Sequence, residues 1–397
     1  MELSERVRGL APAATLEMNT RAAALRAQGL DVLSFAAGEP DFDTPEHVKE
    51  AAIRALREGH TKYTAVRGTE ALRRAIADWV EREKGLRYSP QQVVVSMGAK
   101  HSVFNIALSL FGPGDEVLIP VPAWVSYEPI VELSGARPVR LPTREEDGFR
   151  LRPEAVEEAV TPRTKALFLN SPCNPTGAVL RRSDLEAIGE VVARRRLTVI
   201  SDEIYGKILY DGVEHVSIAS LSPELKERTV VVDGLSKTYA MTGWRLGFAL
   251  GPEHLMGAMA SVQSQSTTNP VSFAQPAAIA ALEGPQDFLR GWVAEFDRRR
   301  RVLVAGLNEL PGVSCLSPQG AFYAFPRVRG LFGKSGPEGE LRSSLDVASF
   351  FLSSARCATV PGVAFGDDGY IRFSFACSVE QVEEGLSRIS VAVERLE

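Results

Sequence analysis

The sequence predicts an α/β protein built on a mainly parallel sheet, and two features carry that expectation. Short runs of nearly unbroken apolar residues recur through the middle of the chain, and helix-patterned stretches separate them. The runs are Val93–Ser96, Glu116–Pro120, Ala166–Asn170, Leu197–Ser201, Thr229–Asp233 and Leu246–Leu250. Strands this uniformly apolar belong in a sheet covered on both faces. Thr44-Pro45 reads as an N-cap followed by proline at the first helical position, opening a helix that runs to about Glu58. Ala99–Phe111 follows the first run and Arg182–Arg196 precedes the fourth, as crossover helices would.

At 397 residues the chain exceeds a single ordinary core. Beyond about Pro285 the texture changes: a long charged helix near Gln286–Leu310, strand-like runs at Ala321–Phe325 and Tyr370–Phe375, then a final helix. The first 40 or so residues also fall outside the alternating region. The expected organisation is a large domain over residues 46–284 and a smaller α+β domain made from 1–45 and 285–397. Val328–Arg342, rich in Gly, Lys and Glu, reads as a mobile surface loop.

Composition excludes several classes. Hydrophobic residues at 45% and charged residues at 24% are those of a globular protein. A net charge of −5 gives no reason to expect nucleic acid or an anionic membrane as partner. The arginine clusters Arg194–Arg196 and Arg298–Arg301 lie beside acidic residues and read as solvated helix faces. Four separated cysteines, Cys173, Cys315, Cys357 and Cys377, have neither disulfide nor zinc spacing. The five histidines match no catalytic pattern, and no metal is expected. With no signal-peptide pattern and no long apolar span, the expected location is the cytoplasm.

Parallel sheets bind ligands beyond the carboxyl ends of their strands. Four predicted strands end in chemically useful residues: Met97-Gly98-Ala99-Lys100, Ser171 to Gly177, Asp202-Glu203-Ile204-Tyr205, and Gly234-Leu235-Ser236-Lys237. Neither GxGxxG nor GxxxxGK[ST] occurs, so the common dinucleotide and P-loop cradles are missing. Gly98-Ala99, at a strand-to-helix turn, can still hold a phosphate on free N–H groups.

The segment from Gly234 to Gly247, containing Ser236-Lys237 and Gly243-Trp244-Arg245, resembles the lysine attachment signature of the class I pyridoxal-phosphate (PLP) aminotransferases. Asn174-Pro175-Thr176-Gly177 and Ser201-Asp202-Glu203-Ile204-Tyr205 are further hallmarks in the expected order. The resemblance runs from Ala37-Gly38-Glu39-Pro40-Asp41-Phe42 to Ile371-Arg372-Phe373-Ser374, and is greatest to the aspartate aminotransferases of the bacterial subgroup Ib. It implies a fold-type I PLP transferase with a ping-pong cycle between PLP and pyridoxamine phosphate. Lys237 would carry the cofactor as a Schiff base and then move the proton. Asp202 would face the pyridine nitrogen, and Tyr205 and Asn174 the phenolic oxygen. Arg245, Ser236 and the turn at Gly98, Ala99 and Lys100 would hold the phosphate, and Trp124 would stack on the ring. Arg372, Asn174 and Gly38 would hold the substrate's α-carboxylate. Tyr63, in Thr61-Lys62-Tyr63-Thr64, resembles a tyrosine that reaches the phosphate of a neighbouring subunit, which implies a homodimer with shared sites.

Substrate choice rests on fewer residues. Lys100 and Thr15 resemble contacts to a distal carboxylate, making aspartate and 2-oxoglutarate the expected pair. Relatives that also accept prephenate carry a lysine just before a proline in the N-terminal loop, where this chain has Ala11 and Pro12. Aromatic, alanine or prephenate specificity, or a carbon–sulfur lyase, would use the same cofactor apparatus. A PLP-binding transcriptional regulator is the alternative of another class, but Thr15 already matches the aminotransferase pattern within the first 20 residues, so no helix-turn-helix module is expected ahead of it.

Overall fold

The computed structural model describes residues 2–10 and 14–397. A helix over Ala14–Ala27 leads to a two-residue strand, β1 (Leu33–Ser34). Seven strands then build the main sheet: β2 (Val93–Ser96), β3 (Glu116–Val121), β4 (Arg137–Pro142), β5 (Thr164–Asn170), β6 (Thr198–Asp202), β7 (Thr229–Gly234) and β8 (Gly247–Leu250). Their spatial order is β2-β8-β7-β6-β5-β3-β4. The pairs from β4 across to β7 are parallel, while β8 runs antiparallel between β7 and β2. Every residue of β2 and β7 is buried, as their valine runs require.

β4 escapes the apolar-run criterion. It reads Arg-Pro-Val-Arg-Leu-Pro and is mostly solvent-facing at the sheet edge, where proline removes no ladder bond that a further neighbour needs.

The rest of the chain forms smaller sheets. β9 (Tyr323–Ala324), β10 (Ser335–Gly336), β11 (Gly339–Glu340), β12 (Cys357–Ala358), β13 (Val360–Pro361) and β14 (Ile371–Ser374) follow in order. β14 is central in an antiparallel trio with β13 and β9, and β1 pairs in parallel with β12. Met18 and Phe35 from the N-terminal segment share one apolar core with Phe296, Phe351, Phe373 and Ile389.

Three local expectations need correction. Thr44 is not the N-cap of the helix Glu46–Arg57; Pro45 stands there. The Thr44 hydroxyl instead donates to Ala240 O (2.7 Å) and accepts from Trp244 Nε1 (3.0 Å), fastening the loop beyond Lys237. Within the helix Asp287–Glu309, Arg299 and Arg300 are buried rather than solvated. Arg299 bonds Asp41 and Glu295, and Arg300 bonds Asp211 and Asp297, so half their acidic partners come from remote chain. The stretch expected as a loop carries the antiparallel β10–β11 hairpin, tied by reciprocal backbone bonds between Ser335 and Glu397, with Val328, Leu331 and Leu341 buried at its base.

The helix Glu70–Lys84 delivers its last residue to the sheet. Lys84 Nζ lies 2.6 Å from Glu203 Oε2 and 2.7 Å from Asp233 Oδ2, with side chains only 5%, 1% and 4% exposed. Breaking a buried ion pair from one side leaves uncompensated charge and costs about 3–5 kcal/mol. Lys84→Met is therefore expected to unfold at clearly lower urea concentration than the parent protein. An unchanged midpoint would show that these carboxylates do not need their cation.

Candidate active site

The parallel strands β5, β6 and β7 end side by side, and their ends open on a cavity of about 350 Å³. Asn170, Asp202 and Lys237 come to it from these three ends, Ala99 and Lys100 from the helix after β2, and Arg372 from β14. Among the candidates whose side chains are described, every one named from the sequence lines this one cavity except Gly98 and Tyr63.

Asp202 forms the floor and is 4% exposed. Tyr127 Oη donates to its Oδ2 at 2.7 Å, and the Ile204 N–H donates to Oδ1 at 3.3 Å. Burial pushes the Asp202 carboxyl up to about 6, against the pull of these two donors. Tyr127 is held by stacking on Phe168, with ring centroids 4.7 Å apart, and by an edge contact with Trp124 at 5.2 Å. The sequence offered one clue to Tyr127: it lies three residues after Trp124.

Lys237 sits in the short helix Leu235–Thr238 and donates from Nζ to Gly38 O at 2.6 Å. Burial lowers its amine to about 8; Arg372 and Arg245 push the same way, and Glu39 opposes them. A useful fraction is therefore uncharged near neutrality, where an ordinary lysine has almost none.

One end of the cavity is built for an anion. Gly98 precedes the helix Ala99–Leu110 at φ +83°, and a Cβ there would stand 2.6 Å from Arg245 Nη2. Arg245 itself has φ 57° and anchors to Thr242 O (2.9 Å) and Met97 O (3.2 Å). Gly247 is equally constrained: a Cβ would meet Ala99 N at 2.1 Å. First-turn N–H groups lack intrahelical partners, so the Ala99–Lys100 turn and Arg245 together form an anion cup, with Ser236 on the same wall. Lys100 Nζ lies 5.0 Å from the centre of the Trp124 ring; the residue is exposed overall, and partial desolvation of its amine together with Arg245 lowers its pKa.

The other end holds Arg372, 3% exposed. It donates to Asn174 Oδ1 (3.0 Å) and Ala36 O (2.9 Å) and lies between the rings of Tyr323 (4.5 Å) and Phe365 (5.1 Å). Its Nε is buried without a hydrogen-bond partner among the described residues, while Nη1 and Nη2 each carry a second N–H beyond the bonds to Asn174 and Ala36, donors suited to a carboxylate. Tyr205 is buried, with its Oη 2.9 Å from Tyr323 Oη, and Tyr323 is a second residue the sequence reading missed. Tyr63 is 89% exposed and away from the cavity. The Thr15 side chain, like Ala11 and Pro12, lies outside the described residues.

A buried carboxyl and a lysine of lowered pKa thus share one cavity, with guanidinium groups at both ends. That arrangement suits a planar cationic ring bearing an anionic tail, together with an amino or oxo acid. Residues 30–389 match the family described as aminotransferase class I and II. The chain is 44% identical to the aspartate aminotransferase of Geobacillus stearothermophilus over 98% of both proteins. It is likewise 44% identical to the aspartate/prephenate aminotransferase of Nitrosomonas europaea, over 98% of this chain and 99% of that one. The crystal structure of the Rhizobium meliloti aspartate aminotransferase superposes with a TM-score of 0.97 at 44% identity, covering both chains completely. The chain therefore belongs to the class I and II aminotransferases.

Proposed function

We propose that this aminotransferase uses pyridoxal 5′-phosphate to move the α-amino group of aspartate to 2-oxoglutarate. The observation that carries the proposal is the pairing, in one cavity, of buried Asp202 with Lys237 of lowered pKa between two arginines. The residues fit the cofactor: the Gly98–Arg245 cup suits its phosphate, and a buried carboxyl whose side-chain donor is the neutral Tyr127 hydroxyl suits its ring nitrogen. When bound, PLP supplies an electron sink for the negative charge that develops at the substrate's Cα.

The protein's groups then have separate tasks. Asp202 would hold a proton at the pyridine nitrogen, kept in line by Tyr127. Tyr205 and Asn174 would donate to the phenolic oxygen, and Trp124 would cover one ring face. Arg245, Ser236 and the backbone of Gly98, Ala99 and Lys100 would bind the phosphate. Lys237 Nζ would bond the cofactor covalently until the substrate's amino group takes its place, and the freed amine would then take the proton from Cα and return it on the cofactor side. Arg372 would hold the α-carboxylate beside Asn174 and Gly38.

For the second carboxylate we assign Lys100, with Thr15 as a further contact. The aspartate names of the relatives support this pairing. The Nitrosomonas europaea relative favours prephenate as a second acceptor, although Ala11 here lacks the lysine expected of that activity. Tyr63, exposed and remote from its own cavity, is assigned to the site of a partner subunit in a homodimer. We further divide the chain into a large domain, 46–284, carrying Lys237 and Asp202, and a small one, 1–45 with 285–397, carrying Arg372.

Steady-state assays over a panel of amino donors with 2-oxoglutarate test the substrate reading. Aspartate should give the highest kcat/KM, and parity with alanine or phenylalanine would reject it. Arg372→Lys keeps the charge but loses the planar fork. A loss of about 2 kcal/mol is expected, a fall in kcat/KM for aspartate of about 30-fold. Retention of parental kcat/KM would remove Arg372 from substrate binding. The amine of Lys237 is also expected to react unusually early with rising pH. Since its pKa is depressed, the uncharged form grows as pH passes about 8, whereas ordinary lysines need about pH 10.4. In cofactor-free protein, acylation at position 237 followed by peptide mapping should be half-maximal near pH 8. Modification that tracks the surface lysines would contradict the lowered value.

A further inference from the structure

We infer that Tyr323 is a positioning residue that gives its phenolic proton to Tyr205, so that Tyr205 can give its own to the cofactor's phenolic oxygen. The inference rests on the role of Tyr205 proposed above and deepens it.

Tyr323 lies in β9, is fully buried, and lines the cavity beside Tyr205. The two rings meet edge-on, at an interplanar angle of 85° with centroids 5.7 Å apart, so they do not stack face to face. Their oxygens are 2.9 Å apart, and among the described residues each is the other's sole hydrogen-bond partner. A phenol carries one proton and can both donate and accept. The pair therefore owns two protons but spends only one between its members, leaving one to offer to the cavity. If Tyr205 makes that offer, the short contact between the oxygens survives only with Tyr323 as donor to Tyr205. The opposite sense would leave Tyr205 with no proton for the ligand. A chain of donors strengthens each successive bond, most of all where water is excluded.

The ring of Tyr323 has a separate task, lying against the Arg372 guanidinium at 4.5 Å. Phenylalanine at this position would keep that contact and delete only the hydroxyl. Tyr323→Phe thus isolates proton donation from packing, and the oxygen it leaves on Tyr205 retains the cofactor as partner.

The test is a pH titration of the visible absorption band in PLP-loaded wild type, Tyr323→Phe, Tyr205→Phe and the double variant. Donation to the phenolic oxygen favours its anionic form, so losing it raises the apparent pKa of the band. One neutral hydrogen bond corresponds to a shift of roughly 0.5–1 unit. Tyr205→Phe should raise the apparent pKa, Tyr323→Phe should raise it less, and the double variant should match Tyr205→Phe because Tyr323 acts only through it. A Tyr323→Phe titration identical to wild type, beside a shifted Tyr205→Phe, overturns the relay and leaves the cofactor assignment standing. Fully additive shifts overturn it as well, by making the two hydroxyls independent. A Tyr205→Phe titration identical to wild type removes Tyr205 from the phenolic oxygen, and the relay falls with that assignment.

Discussion

The active cavity depends on how negative charge is managed at the ends of two neighbouring strands. β6 ends in Asp202 and is followed by Glu203, while β7 carries Asp233, so three carboxyl groups crowd one edge of the sheet. Successive residues of an extended chain point to opposite sides. Asp202 accordingly faces the cavity, whereas Glu203 joins Asp233 around Lys84. Burial works against the charge on Glu203, but Lys84 and His215 hold its carboxyl well below the usual range. For Asp202 burial is the largest upward influence, and Asp233 and Glu203 add to it. By neutralising that pair from behind, Lys84 limits the added push. With its carboxyl pushed up only to about 6, Asp202 can still ionise near neutrality and answer a cationic ligand with a full charge.

What could be read from the sequence, and what could not, follows from whether the signal is local. β2 and β7 announce themselves because burial on both faces demands unbroken valine. β4 does not, since an edge strand may carry arginine and proline. Lys237, Asp202, Asn174 and Arg372 sit in short chemical motifs whose order along the chain is itself information. Tyr127 and Tyr323 act through partners 75 and 118 residues away, and Tyr323 lies in Ala-Phe-Tyr-Ala-Phe, a run that reads as plain core. Arg299 and Arg300 misled for the same reason. Their acids within one helical turn suggested a solvated face, and Asp41 and Asp211 arrive from remote chain.

The anion cup, in its proposed role, suggests how a phosphate site can be built without a glycine-rich fingerprint. In the GxGxxG turn, one short segment supplies both the tight bend and the close backbone approach. Here the two tasks fall to different strands. Gly98 makes the left-handed bend and leaves room for the Arg245 guanidinium, while Gly247 lets β8 come against the first residue of the helix. A side chain at either position would collide with its neighbour, so neither glycine is replaceable although they are far apart in sequence. The arginine also brings a fixed charge, which a cup made of backbone alone lacks.

The two ends of the cavity differ in rigidity, and the difference bears on substrate choice. Arg372 lies between two aromatic rings with two of its nitrogens committed to Asn174 and Ala36, so its plane is set before any ligand arrives. That is appropriate for the α-carboxylate, a group common to amino and oxo acids. Lys100 is exposed and rests its ammonium over the Trp124 ring. A lysine is a point charge on a flexible stem, and a cation–π contact with an exposed cation constrains it weakly. In the role proposed for Lys100, a carboxylate that is distal in aspartate or one carbon further away in 2-oxoglutarate would be met by the same side chain through a change of rotamer. A double-displacement enzyme must accept two acids of unequal length in one cavity, and a rigid clamp paired with a mobile charge satisfies that requirement where two rigid clamps could not.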